Sequence, residues 1–231
     1  MTGGGIGTLG EKSLHAALKD WYARPGDRLE AVVDGFVVDI VRGDVLIEIQ
    51  VAHFAAIKRK LAILTENHSV RLVHPIAERK WIIRQNARGR QVSRRKSPRH
   101  GRIEYVFDEM VRIPALVPHP NFSVEVLLVH AEEMWRDDGK GSWRRGGWSI
   151  ADYRLLEVTG RVLLETPADF RALLPADLPD PFTTADLAGA LDMRRSFAQR
   201  MAYCLRNMGA IWVVGKQRNE LQYSKERIEQ C

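Results

Sequence analysis

Cysteine is almost missing from this 231-residue chain, which has only Cys204 and Cys231. Two thiols cannot build a disulfide framework for a chain this long, so a reducing, cytoplasmic setting is expected. Long apolar runs are missing too: none reaches the roughly 20 residues that a membrane-crossing helix needs, and no membrane partner is expected. The opening MTGGGIGTLGEKS has no charged stretch followed by an apolar one, and is not expected to act as a secretory signal. Zinc spacing is lacking as well, since His15, His53, His68 and His74 form no His-x₃-His pair and have no paired cysteines beside them. No nucleophile–base pairing of the kind a small-molecule hydrolase uses stands out.

Acidic residues are in the minority. There are 29 Asp and Glu against 35 Lys and Arg, a net charge of +6, and a surplus of this sign favours a polyanionic partner. The surplus is concentrated in RGRQVSRRKSPRHGR, residues 88–102, with seven Arg and Lys and no acid. Such a block reads either as a solvated loop or as a nucleic-acid patch offering Arg94, Arg95 and Lys96.

The patterning that is present begins with EKSLHAALKDWYA, where Leu14, Leu18 and Trp21 share one helical face. Pro25-Gly26 stops that helix. Three β-rich runs follow, LEAVV, FVVDI and VLIEIQV, parted by Asp34-Gly35 and by Arg42-Gly43-Asp44, both hairpin signals. FAAIKRKLAILTENH then predicts a helix with Phe54, Ile57, Leu61 and Leu64 on one face, and VRLVHPI and KWIIRQ predict two further strands. Beyond the basic block come a short helix in IEYVFDEMV and strands in FSVEVLLVHAEE and YRLLEVTGRVLLE. Between those strands lies a loop in which Trp135, Trp143 and Trp148 flank Arg144 and Arg145.

The middle strands pose a question. Asp39 sits in FVVDI, and Glu48 and Gln50 sit in VLIEIQ, among valines and isoleucines. Residues two apart in a strand share a face, so Glu48 and Gln50 point together. A two-residue Gly43-Asp44 loop would put Asp39 opposite Glu48, an Arg42-Gly43 loop would put it on the diagonal, and only a three-residue loop would separate them. Opposed like charges destabilise a sheet, so a cation belongs between them. It is either a divalent metal ion, which takes hard carboxylate oxygens, or an Arg or Lys from elsewhere in the chain.

With those residues placed, the order helix, three-strand meander, helix, strand over residues 9–78 resembles the PD-(D/E)XK nuclease core. Asp39 and Glu48-Ile49-Gln50 match its motif, and Glu11 matches the acidic residue many members add. The resemblance implies an α/β fold with a restriction-endonuclease-like αβββαβ core. It also implies hydrolysis of DNA phosphodiesters with Mg²⁺ or Mn²⁺ held by Glu11, Asp39, Glu48 and the Ile49 carbonyl. Gln50 stands where that family has Lys, and Gln supplies neither a base nor a positive charge. Charge stabilisation would then fall to the metal or to Lys58 and Lys60, both expected to face solvent.

The C-terminal segment reads as helix, helix, hairpin, the order of a winged helix-turn-helix. A first helix opens on Thr183 or Thr184. A second, ended by Gly209, carries the stripe Phe197, Met201, Leu205 and Met208, and the hairpin turns near Gly215-Lys216. Arg194, Arg195, Gln199 and Arg200 lie off the stripe, where they suit base edges and phosphates of double-stranded DNA, with Lys216 and Arg218 on the wing. The expected domains are a nuclease-like core over 1–105, an α+β connector over 106–177 and a small α+β winged-helix domain over 178–231. The whole chain resembles a bacterial group that pairs such a core with a winged helix. Cutting both strands would call for a homodimer. The rival reading is a non-catalytic DNA-binding regulator on a degenerate nuclease fold.

Overall fold

The computed structural model describes residues 8–227, with the side chains of residues 8–12 and of Arg144 outside that description. Helix α1 (Thr8–Tyr22) turns at Pro25-Gly26 into strand β1 (Arg28–Val33), which pairs antiparallel with β2 (Phe36–Arg42) and through it with β3 (Val45–Ile49). Gly35 at φ +80° and Gly43 at φ +55° occupy the two hairpin turns, in the region that a side chain disfavours. Helix α2 (Phe54–Asn67) crosses over and delivers β4 (Ser69–Gln85) parallel to β3. The mixed α/β sheet continues from β4 to β6 (Phe122–Arg136) and β7 (Ser149–Leu164), and β5 (Gln91–Lys96) also pairs with β4.

Burial on both faces follows the strand alternation. Leu46, Leu72 and Val126 join one apolar cluster, and their neighbours Ile47, Val73 and Leu127 join the other. Leu14, Leu18 and Tyr22 of α1 cover the second cluster. Against the first pack Phe54, Leu61 and Leu64 of α2, then α3 (Phe107–Met110), then the C-terminal elements. These are α4 (Pro167–Arg171), α5 (Thr184–Leu191), α6 (Arg195–Asn207) and the hairpin β8 (Trp212–Gln217)–β9 (Glu220–Ser224). Thr183 caps α5 in a reciprocal pair with Asp186, and Phe197, Met201, Leu205 and Met208 are all buried. The Cys204 thiol lies in this core, and burial pushes it up to about 12. Among the described residues, no helix is long and apolar enough to cross a membrane.

Four expectations need correcting. Trp21 is 44% exposed and Tyr22 takes its place in the core, its hydroxyl donating to buried Glu125. The two strands expected at 70–85 are one strand of 17 residues, with a register irregularity between Ala77 and Arg79. The basic block is not all loop: Gln91–Lys96 forms β5, which takes the edge of β4 beyond the point where β3 ends. The C-terminal hairpin turns at Arg218-Asn219, since Gln217 pairs with Glu220, and Gly215 lies within β8 beside a bulge.

The segment after β5 is fixed by close approach. The Gly101 N–H donates to the Ala77 carbonyl at 3.1 Å, and a Cβ built at Gly101 would lie 2.3 Å from that same oxygen. Backbone cannot yield there as a flexible side chain could. Gly101→Ala is therefore expected to destabilise the protein by about 2 kcal/mol or more, read as a shifted urea midpoint at constant slope.

Candidate functional site

The carboxylates of the middle strands do meet. Arg42 pairs with Val45, so Gly43-Asp44 is a two-residue loop, and the same register carried onward sets Asp39 across from Glu48. The β2–β3 ladder stops one step short, at Ile40 and Ile47. Beyond it, Asp39 Oδ2 accepts the Ile49 N–H at 2.9 Å, so a side chain stands in for the next strand hydrogen bond. His15, from α1, lies against the same oxygen through Nε2 at 3.1 Å. Burial works against the ionised form of Asp39. The hydrogen bonds from His15 and Ile49 outweigh it and hold the carboxyl below its ordinary range. The same contact raises His15 above the usual imidazole value.

Glu48 has the opposite environment. It is 8% exposed, its Oε2 is buried, and that atom has no hydrogen-bond partner. Burial first, and the Asp39 charge second, push its carboxyl up, against the pull of Lys60. Lys60 reaches in from α2 and donates to Glu48 Oε1 and, at 2.7 Å, to the Val37 carbonyl. The lysine expected in solvent is thus turned into the site, whereas Lys58 is exposed. One carboxylate is held ionised beside another that burial discourages from ionising, with an ammonium group between the site and α2. Paired carboxyl groups pushed apart in this way mark functional clefts more often than bland surface.

Gln50 follows directly after β3. Its backbone N–H donates to Val73 at 2.9 Å, and its side-chain amide donates to the Ala52 carbonyl. His74 secures that carbonyl-rich corner, with Nδ1 donating to Gln50 O at 2.9 Å and the ring meeting Phe54 edge-on. Burial holds His74 below its ordinary value and so favours the neutral ring in the folded chain. The unfolded chain, with a His near about 6.5, binds more protons below that pH, so stability is lost as pH falls beneath it. Melting temperatures measured from pH 7.5 down to 5 are expected to fall more steeply for the wild type than for His74→Gln.

Of the four groups expected to hold a metal, Glu11 has its side chain outside the described residues, and Ile49 contributes backbone only. Among the described residues no group of three or more His, Cys, Asp or Glu could hold a metal ion. What they offer is a pair of hard oxygen donors, with the unpartnered Oε2 of Glu48 as an acceptor without a donor. That chemistry fits a hard divalent cation.

The residues expected on nucleic acid are spread more widely. Arg94 donates to Glu132 at 3.0 Å and stacks over Trp81 at 5.1 Å, while Arg95 and Lys96 are exposed and, among the described residues, unpartnered. Arg195 pairs with Glu220, and Arg200 with Asp108 at 2.7 Å. Arg194, Gln199, Lys216 and Arg218 are exposed. Trp135 is a core anchor at 9% exposure, and the Arg84 guanidinium lies over both it and Trp148.

The mixed sheet thus carries a buried Glu48 beside a half-buried Asp39, an inward lysine and a basic outer edge. Residues 12–165, from α1 through β7, match a domain family described as a domain of unknown function, DUF8091, and the chain belongs to that family. It is also similar to an uncharacterised protein of Treponema pallidum (strain Nichols), 32% identical over 184 residues, covering 79% of this chain and 73% of that protein. No solved structure matches.

Proposed function

We propose that the protein is a metal-dependent nuclease acting on DNA, with a restriction-endonuclease-like αβββαβ core and a C-terminal winged helix that engages the duplex. The observation that carries this reading is the meeting of Asp39 and Glu48 at the end of the β2–β3 ladder, with Glu48 Oε2 buried and unsatisfied. Support also comes from the helix–meander–helix–parallel-strand order and from the basic edge strand.

Asp39 and Glu48, with Glu11 and the Ile49 carbonyl, would hold Mg²⁺ or Mn²⁺. A bound ion of this kind lowers the pKa of its water and neutralises charge on phosphate oxygens. The chain's own residues do the positioning. Ile49 and His15 keep Asp39 ionised and aimed. Gln50 Oε1 is an acceptor able to orient a water. Lys60, turned toward the acids, supplies the positive charge that the motif's missing Lys would have given. Two such sites brought together in a homodimer would cut both strands at once.

One observation favours the rival reading, a DNA-binding regulator that no longer turns over: the Lys60 ammonium already neutralises Glu48. Incubation of purified protein with plasmid and Mg²⁺ or Mn²⁺ separates the two. Nicking by the wild type, absent from Asp39→Ala and Glu48→Ala, supports the nuclease. Binding without nicking, unaltered by either substitution, supports the regulator.

A further inference from the structure

We infer that the cleft between β4, the 99–101 segment and the start of α6 is an anchoring site for the phosphate backbone of a single nucleic-acid strand. It is separate from the carboxylate pair, and it rests on the nucleic-acid reading above. The cleft encloses about 820 Å³. That is the scale of a pocket for one small ligand, so it takes an unpaired strand rather than a duplex.

Its lining is basic on balance: Lys80, Arg99, Arg194 and Arg200 stand against Asp108 and Asp192. Asp108 is already engaged by Arg200, and Lys80 is engaged by Glu133. The side chains of Arg99 and Arg194 are exposed and have no partner among the described residues. Two guanidiniums therefore face one cleft with their donors unspent, and a guanidinium fork matches phosphate oxygens in geometry as well as charge.

The walls are set before any ligand arrives. Gly101 is pressed against Ala77 O, which fixes the Arg99–His100 segment on β4. Arg102 donates to the Leu191 carbonyl at 2.8 Å and ties that segment to the end of α5, just before α6. The half-buried Tyr105 ring forms part of the wall, and an aromatic surface beside a basic groove is the mode used for unpaired bases.

A polymer is favoured over a free nucleotide by what lies outside the cleft. Arg95 and Lys96 are exposed on β5, four and three residues before Arg99, so basic side chains continue outside the cleft, where the further phosphates of a strand can use them.

The experiment is fluorescence anisotropy with a labelled single-stranded 20-mer in EDTA over a series of salt concentrations. The comparison is between wild type, Arg99→Glu/Arg194→Glu and the milder Arg99→Gln/Arg194→Gln, each checked for an unchanged melting curve. The Glu variant is expected to bind at least about 10-fold more weakly. Its log–log salt slope is expected to be shallower by about 1.4, from about 0.7 per lost phosphate contact on a single strand. Inorganic pyrophosphate is expected to displace the oligonucleotide from the wild type. Affinity and slope unchanged in both variants would overturn the site, as would binding of pyrophosphate without binding of the strand. Because the assay contains no divalent ion, loss of binding and loss of cleavage are separate outcomes. A protein that binds through Arg99 and Arg194 yet never nicks DNA sinks only the nuclease reading, and one that nicks but ignores both substitutions sinks only the cleft.

Discussion

Glu48→Gln is expected to reduce the Mg²⁺-dependent DNA cleavage proposed above by at least about 100-fold, which corresponds to about 2.7 kcal/mol of lost transition-state stabilisation. The fold should survive the change. Gln has the shape of Glu, and its carbonyl oxygen can still accept the hydrogen bond that Lys60 gives to Oε1. Removing the charge also relieves a carboxyl group that burial and Asp39 both discourage from ionising. The melting temperature of Glu48→Gln should therefore fall by less than that of Lys60→Ala, since the ammonium keeps the Val37 carbonyl and the Gln oxygen as acceptors. Added Mg²⁺ should raise the melting temperature of the wild type and leave that of the variant unmoved, because a ligand stabilises only the state that binds it. Full cleavage by Glu48→Gln, or an equal Mg²⁺ effect on both proteins, would remove Glu48 from the site.

The second large effect concerns Lys60. Its side chain is 14% exposed and that of Glu48 is 11% exposed, so the pair is largely out of water. Lys60→Ala leaves the buried Glu48 carboxylate facing Asp39 without its ammonium partner. Breaking a buried pair from one side costs roughly 3 to 5 kcal/mol, far above the 0 to 1 kcal/mol of an exposed pair. Urea unfolding is expected to show a loss of about 3 kcal/mol for Lys60→Ala, and a much smaller loss when Glu48→Gln is added. The difference is the coupling energy of the two groups. A loss below about 0.5 kcal/mol would mean that the pair is solvated and that Lys60 plays no part in the site.

Much of the core could be read from the chain before its structure. Phe54, Leu61 and Leu64 announced α2 by their spacing, and Asp34-Gly35 and Gly43-Asp44 announced both hairpins because such turns demand residues tolerant of positive φ. Counting residues across that second turn left Asp39 opposite Glu48, diagonal to it or separated from it, and the Arg42–Val45 pair selects the first. Lys60 reads as solvent-facing and His15 as unconnected to Asp39 for one reason: each flanks an apolar helical stripe without belonging to it. Lys60 stands three residues from Ile57 and four from Leu64, and His15 three from Leu18. Either residue could point inward or outward, and only the partner, a carboxylate from a distant strand, decides.

The unbroken β4 was hidden by Pro75 and by the charged run Glu78, Arg79 and Lys80. Pro75 is tolerated because the edge of β4 facing β3 and β5 has no ladder partner between Val73 and Trp81. β5 was hidden because an exposed edge strand needs no apolar alternation, and QVSRRK has none. Trp21 and Tyr22 are neighbours of similar bulk, and what sent Tyr22 inward is the buried Glu125 carboxylate that its hydroxyl reaches.

The continuity of β4 has a mechanical meaning. His74, which braces Gln50, and Ala77, which supports the 99–101 segment, are three residues apart on one strand, a rise of about 10 Å. No hinge lies between the acidic corner and the basic cleft, because their separation is written into the backbone of a single sheet-bound strand. A ligand that touched both marks would meet them at one constant offset.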